Sequence, residues 1–160
     1  MPERAVPAVV FEPEYLEGFR LIYEEKIVFN QTLGLKLVSV TPEGVQARID
    51  MRPELVGHFA YNRIHGGVIS AVLDAIGSAA VMASLASRHM DEPPAKRLER
   101  FAKLGTIDLR VDYLRPGIGT HFTVHAEALR VGSRVGSSRM EFRGPDGTLM
   151  STGAAAYIVS

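Results

Sequence analysis

Between His65 and Arg88 the chain reads HGGVISAVLDAIGSAAVMASLASR, and Asp74 is the only charged side chain inside that run. Its neighbours are Val, Ile, Leu, Ala, Met, Gly and Ser. A carboxylate is seldom fully buried unless it is paired, and burial without a partner is costly enough to shift its pKa. An acid on an apolar helix is therefore either satisfied by a partner elsewhere in the fold or kept for chemistry. Two glycines, Gly66 and Gly67, open the same run. Eight positions separate Gly66 from Asp74, which on one straight helix is roughly 12 Å.

Composition narrows the chemistry. The chain has 160 residues, 46% hydrophobic and 22% charged, which suits one globular α+β domain over residues 1–160. Residues 1–12 carry no clear pattern and are expected to be loosely ordered. There is no cysteine, so thiolate catalysis and a disulfide framework are excluded. The five histidines show no paired metal-ligand spacing, and no metal is expected. Formal net charge is +0, which gives no general attraction to nucleic acid or anionic lipid. No apolar signal region stands near the N-terminus, so a cytoplasmic location is the default expectation. Residues 66–87 are long enough to span a bilayer, but Asp74 near the middle would cost ~2.5–3.5 kcal/mol on insertion scales. The spacing therefore predicts a helix wrapped inside a soluble domain.

The other elements must surround that helix. Pro13 could open a helix over residues 14–29, with Leu16, Phe19, Ile22, Tyr23 and Ile27 at helical spacing. Residues 35–52 read as a hairpin around Pro42-Glu43-Gly44, with Val45, Ala47, Ile49 and Met51 alternating with polar residues. Residues 53–64 read as a loop. Residues 88–104, rich in Lys, Arg, Glu and Pro, read as a mobile surface connection. Four strands follow, the first alternating Ile107, Leu109, Val111 and Tyr113 with Asp108, Arg110 and Asp112. The order helix, two strands, long helix, four strands implies an antiparallel sheet that must cover its apolar face. A sheet wrapped around one central helix, the hotdog arrangement, meets that need.

At this point the residues resemble a family. Asn62-Arg63-Ile64-His65-Gly66-Gly67-Val68-Ile69-Ser70-Ala71-Val72-Leu73-Asp74 resembles the signature of hotdog-fold acyl-CoA thioesterases of the phenylacetate-degradation, 4-hydroxybenzoyl-CoA thioesterase-like type. Residues 105–116, with Tyr113 and Pro116, resemble the strand that follows the helix in that family. The likeness covers residues 33–159. It implies hydrolysis of an acyl-CoA to free acid and CoA, with no cofactor beyond the coenzyme A of the substrate itself. It also implies that Asp74 acts as general base or nucleophile and that the Gly66 amide polarises the thioester carbonyl. Thr106 takes the place where the family often has Ser or Thr to orient the water or the carboxylate. His65 fixes the loop by hydrogen bonding. The family's usual Asn six positions before the histidine is Phe59 here, and Asn62, three before, is the nearest amide.

Physical chemistry adds a constraint. A helix N-terminus opened by Gly66 and Gly67 presents bare backbone N–H groups to an oxygen that gains charge. Attacking and polarising groups must both lie within ~3 Å of one reaction centre, and Gly66 and Asp74 of one helix are too far apart. Both act on one substrate only if they come from different subunits, so the hydrolase reading requires a homodimer or a dimer of dimers. Gly67, Asn62 and Arg115 are the candidate substrate-binding residues. Arg115 and the group Lys96, Arg97, Arg100 and Lys103 are candidates for the CoA phosphates. Competing readings are a hydratase or dehydratase of acyl thioesters on the same fold, and a non-catalytic acyl-CoA-binding module, which would have no use for Asp74.

Overall fold

A computed structural model describes residues 8–160. Six strands form one antiparallel sheet: β1 (Lys36–Val40), β2 (Val45–Asp50), β5 (Gly105–Tyr113), β6 (His121–Val131), β7 (Val135–Arg143) and β8 (Leu149–Ile158). Their order across the sheet is β1-β2-β6-β7-β8-β5. One face wraps the long helix α3 (Gly66–Ala86), which continues as a 3-10 turn over Ser87–His89. The expected α+β hotdog architecture is therefore observed. Phe122, Val124 and Ala126 of β6, Met140 and Phe142 of β7, and Ala155 and Tyr157 of β8 are buried together with Val72, Leu73, Ile76 and Ala80 of the helix. The apolar surface of α3 is thus packed against the sheet.

The expected 14–29 helix is divided. α1 (Pro13–Arg20) runs into a π-helical turn, Leu21–Lys26, which ends where Ile27 adopts extended backbone (φ −78°, ψ 91°). A second short helix, α2 (Val28–Leu33), then stops at Gly34, whose left-handed φ of 73° is the C-terminal cap glycine favours. Tyr15, Phe19 and Tyr23, four residues apart ahead of the break, are all buried. The 53–64 loop contains a small ribbon, β3 (Val56–His58) with β4 (Arg63–Ile64).

Two expectations about order are corrected. Residues 88–104 are not a mobile connection: α4 (Pro94–Glu99) and a 3-10 turn, Arg100–Lys103, fold back onto α1. Arg97 is fully buried, pairs with Glu12 at 2.6 Å and lies over the Tyr15 ring at 4.9 Å. A buried guanidinium of this kind has its charge and its fork of donors satisfied together. The same contact corrects the expectation of a loose segment through residue 12. Phe11 is buried and Glu12 is fixed by Arg97, while residues 1–7 lie outside the described residues.

The strand β5 also departs from simple alternation. Its register against β8 shifts between Thr106 and Asp108. The extra residue is a β-bulge, which re-aims the side chains before it. Thr106 therefore pairs opposite the buried Tyr157 and turns toward α3, whereas its parity with Asp108 predicts the outside. Ile107 and Tyr113 remain exposed because β5 is the edge of the sheet.

Candidate active site

Asp74 sits in the third turn of α3. Thr106 Oγ1 donates to its two carboxylate oxygens at 3.0 and 3.2 Å. No ion pair reaches Asp74 among the described residues. Burial raises its pKa above the ordinary carboxylate range, and hydrogen bonding from Thr106 and Tyr157 only partly offsets this. Tyr157 is buried, and its hydroxyl donates to the Asp74 backbone carbonyl at 3.0 Å. Gly77 makes that contact possible: a Cβ there would stand 2.4 Å from the Tyr157 hydroxyl. The Asp74 carboxylate is thus held by a threonine from the sheet edge and its backbone by a tyrosine from β8, with no cation paired to it among the described residues.

A cavity of about 230 Å³ opens beside the carboxylate. Ala71, Ala75 and Ser78 of α3 line one side, and Ile27, Phe29, Phe101 and Leu104 face them. The inner end is braced by polar contacts. Tyr23 and Ser78 share a hydroxyl–hydroxyl hydrogen bond of 3.2 Å, and Asn30 Nδ2 donates to the Tyr23 carbonyl at 3.0 Å.

The second group of candidate residues lies at the helix N-terminus. His65 caps α3, its Nδ1 accepting from the Gly67 N–H at 2.8 Å. Its own N–H donates to the Leu55 carbonyl at 2.8 Å, which ties the preceding loop down. Gly67 therefore has no free donor. The Gly66 N–H has no acceptor among the described residues, as expected of the first N–H groups of a helix. Tyr113 Oη donates to the Gly66 carbonyl at 2.8 Å, and its ring would lie 3.3 Å from any Cβ placed on Gly66. α3 is continuous from Gly66 to Asp74, so the ~12 Å separation stands.

The remaining candidates do not join either group. Asn62 is exposed in a left-handed turn (φ 46°), a conformation asparagine tolerates. Arg115 donates to the Leu149 carbonyl at 2.9 Å and borders a separate cavity of about 480 Å³ with Pro116, Ile118 and Met150. Arg97 is removed as a phosphate ligand by Glu12, and Arg100 is held by a two-point contact with Glu92. Lys96 and Lys103 border a further cavity at the other end of α3 with Arg88 and His89. Sequence reasoning assigned no role to Tyr157 or Tyr113. The signal for Tyr157 was its place on the inward parity of a strand, since a buried tyrosine hydroxyl needs a partner.

Known proteins resemble this chain in sequence and in fold. The sequence profile of the Thioesterase superfamily matches residues 61–151, which include His65, Gly66, Asp74 and Thr106. The medium/long-chain acyl-CoA thioesterase YigI of Salmonella typhimurium is 37% identical over 144 residues, 90% of this chain and 92% of that protein. YigI of Escherichia coli is 36% identical over the same span. A crystal structure of a Shewanella oneidensis protein related to the thioesterase superfamily superposes with a TM-score of 0.84 at 36% identity, covering 94% of this chain and all of the other.

Proposed function

The chain belongs to the thioesterase superfamily, and from that membership we propose that it hydrolyses medium- or long-chain acyl-CoA, using Asp74 of one subunit and the Gly66 amide of another. The observation that carries the residue assignment is the state of Asp74: an unpaired acid on a core helix, with a raised pKa, open to a cavity. A structural carboxylate would have a cation or several donors. Among the described residues this one has no cation; Thr106 donates to its oxygens, and the nearby Tyr157 hydroxyl is directed at the Asp74 backbone carbonyl.

The chemistry follows from the two ends. The Gly66 N–H, at a helix N-terminus, donates to the thioester oxygen and stabilises the charge it gains on attack. In one route Asp74 takes a proton from water as the water oxygen bonds to the carbonyl carbon. The tetrahedral intermediate then expels the CoA thiolate, which takes up a proton. In the other route a carboxylate oxygen of Asp74 attacks the carbonyl itself, expels the thiolate and forms an acyl anhydride that water hydrolyses. Thr106 holds the carboxylate for either. His65 and Gly67 shape the N-terminal turn. Because ~12 Å separates Gly66 from Asp74, the site is completed by a second copy of the chain, and two-fold symmetry makes two such sites per dimer. The finer placement in the phenylacetate-degradation type is supported by the His-Gly-Gly-to-Asp spacing. The acyl preference is supported by the 36–37% identity to YigI.

The test is a panel of acyl-CoA substrates with detection of free CoA thiol. Steady release of thiol with octanoyl- to hexadecanoyl-CoA is expected. Binding without turnover would favour the acyl-CoA-binding reading.

A further inference from the structure

We propose that the cavity beside Asp74 holds the acyl chain of the substrate, and that Ala75 and Phe101 set the length of chain it accepts. The assignment rests on the hydrolase reading above and deepens it. At about 230 Å³ the cavity is smaller than whole-ligand pockets, which run to ~300–1,000 Å³. It takes one arm of an acyl-CoA, and charge decides which. Its lining includes the Asp74 carboxylate and neither lysine nor arginine. The phosphates of CoA would meet repulsion there with nothing to offset it. The acyl chain is uncharged and apolar, and Ile27, Phe29, Phe101 and Leu104 offer it an apolar wall. The separate cavity at Arg115, by contrast, does carry a cation.

The fold explains why there is space. Ala71 and Ala75 lie one turn before and one residue after Asp74, and both side chains are too small to fill the gap. The opposite wall exists because the chain breaks at Ile27 between the π-helical turn and α2. Phe101 is fixed in place by an edge-on contact with Tyr23, ring centroids 5.6 Å apart at 76°. Tyr23 is in turn tied to Ser78. The cavity therefore has a rigid end, which is what a chain-length limit needs.

The experiment measures kcat/KM for butanoyl- through hexadecanoyl-CoA on the intact protein and on two variants. Ala75→Leu fills the space that about three methylenes would occupy. Each buried methylene is worth about fourfold, so the ratio of kcat/KM for dodecanoyl- to butanoyl-CoA is expected to fall about 60-fold. Phe101→Ala should move the optimum the other way, toward longer chains. General damage would lower all substrates alike and leave the ratios in place. Ratios within twofold of the unsubstituted protein in both variants would overturn the assignment. If Ala75→Leu does not fold, Phe101→Ala alone decides, by the same ratio. Failure of the unsubstituted protein to turn over any acyl-CoA would be a different result: it would sink the hydrolase reading and the cavity assignment with it.

Discussion

Replacing Gly66 by valine separates catalysis from packing because the structure sets the two costs an order of magnitude apart in their effects. A Cβ at Gly66 would lie 3.3 Å from Tyr113 Cε1 and 3.5 Å from its Cζ and Oη. Valine adds two methyl groups ~1.5 Å beyond that Cβ, so the ring has to leave. Tyr113 is 54% exposed and can turn into solvent. The loss is the hydrogen bond to the Gly66 carbonyl, worth about 1 kcal/mol. Helix propensity favours valine over glycine by a few tenths of a kcal/mol, which partly offsets it. A net change of about 1 kcal/mol against a stability of roughly 5–15 kcal/mol leaves nearly all molecules folded. The branched side chain, however, stands beside the N–H that must donate to the thioester oxygen, and loss of one such donor costs ~10²–10³ in kcat. The assay is kcat with dodecanoyl-CoA and thermal unfolding on the same preparation. The expected result is a kcat lowered at least 10²-fold with the unfolding temperature nearly unchanged. Tyr113→Phe, which removes the hydrogen bond without adding a Cβ, should retain most of the activity. A folded Gly66→Val protein with kcat close to that of the unsubstituted one would refute the assignment of the amide. So would a protein whose activity falls only in step with its folded fraction.

Mixing Asp74→Asn subunits with Gly66→Val subunits should restore part of the activity that each lacks alone, because every hybrid dimer regains one intact site; full activity in a monomer by light scattering would remove the shared site. As a base or nucleophile Asp74 acts ionised, so kcat/KM should rise with pH through its raised folded-state pKa. Thr106→Val removes a hydrogen bond that lowers that pKa and should move this acid limb to higher pH, and a limb that stays put would contradict the contact. For stability the sign runs the other way. A folded pKa above the unfolded one gives support that is complete below the unfolded pKa and lost as pH rises through the folded one. Asp74→Asn should therefore unfold at a higher temperature than the unsubstituted protein at pH 8, with the gap closing as pH falls into the carboxylate range.

The α+β fold could be read from residues 35–52, 66–87 and 105–158 because their hydrophobic periods are set by which face meets the core. Asp74 stood out for the same reason, as a charge where the period allows none. Other features depend on contacts distant in sequence. Arg97 looks like one of several surface cations until Glu12, 85 positions earlier, is seen to neutralise it. Thr106 follows the wrong parity because a bulge leaves no mark in the alternation of Ile107, Leu109 and Val111. The break at Ile27 is hidden in an apolar spacing that suits a continuous helix. Tyr157 reaches Asp74 only through the slot left by Gly77, a relation between a helix glycine and a strand tyrosine that no local pattern encodes.

The central claim is that the Asp74 carboxylate does the chemistry. It is tested most directly by the turnover of Asp74→Asn with a medium-chain acyl-CoA under single-turnover conditions. Asparagine keeps the shape and can still accept from Thr106, so the protein should fold and bind substrate. The rate of thiol release should fall ~10²-fold or more, the scale of a lost acid–base group. Thiol release at close to the unsubstituted rate from a folded Asp74→Asn protein would contradict the claim.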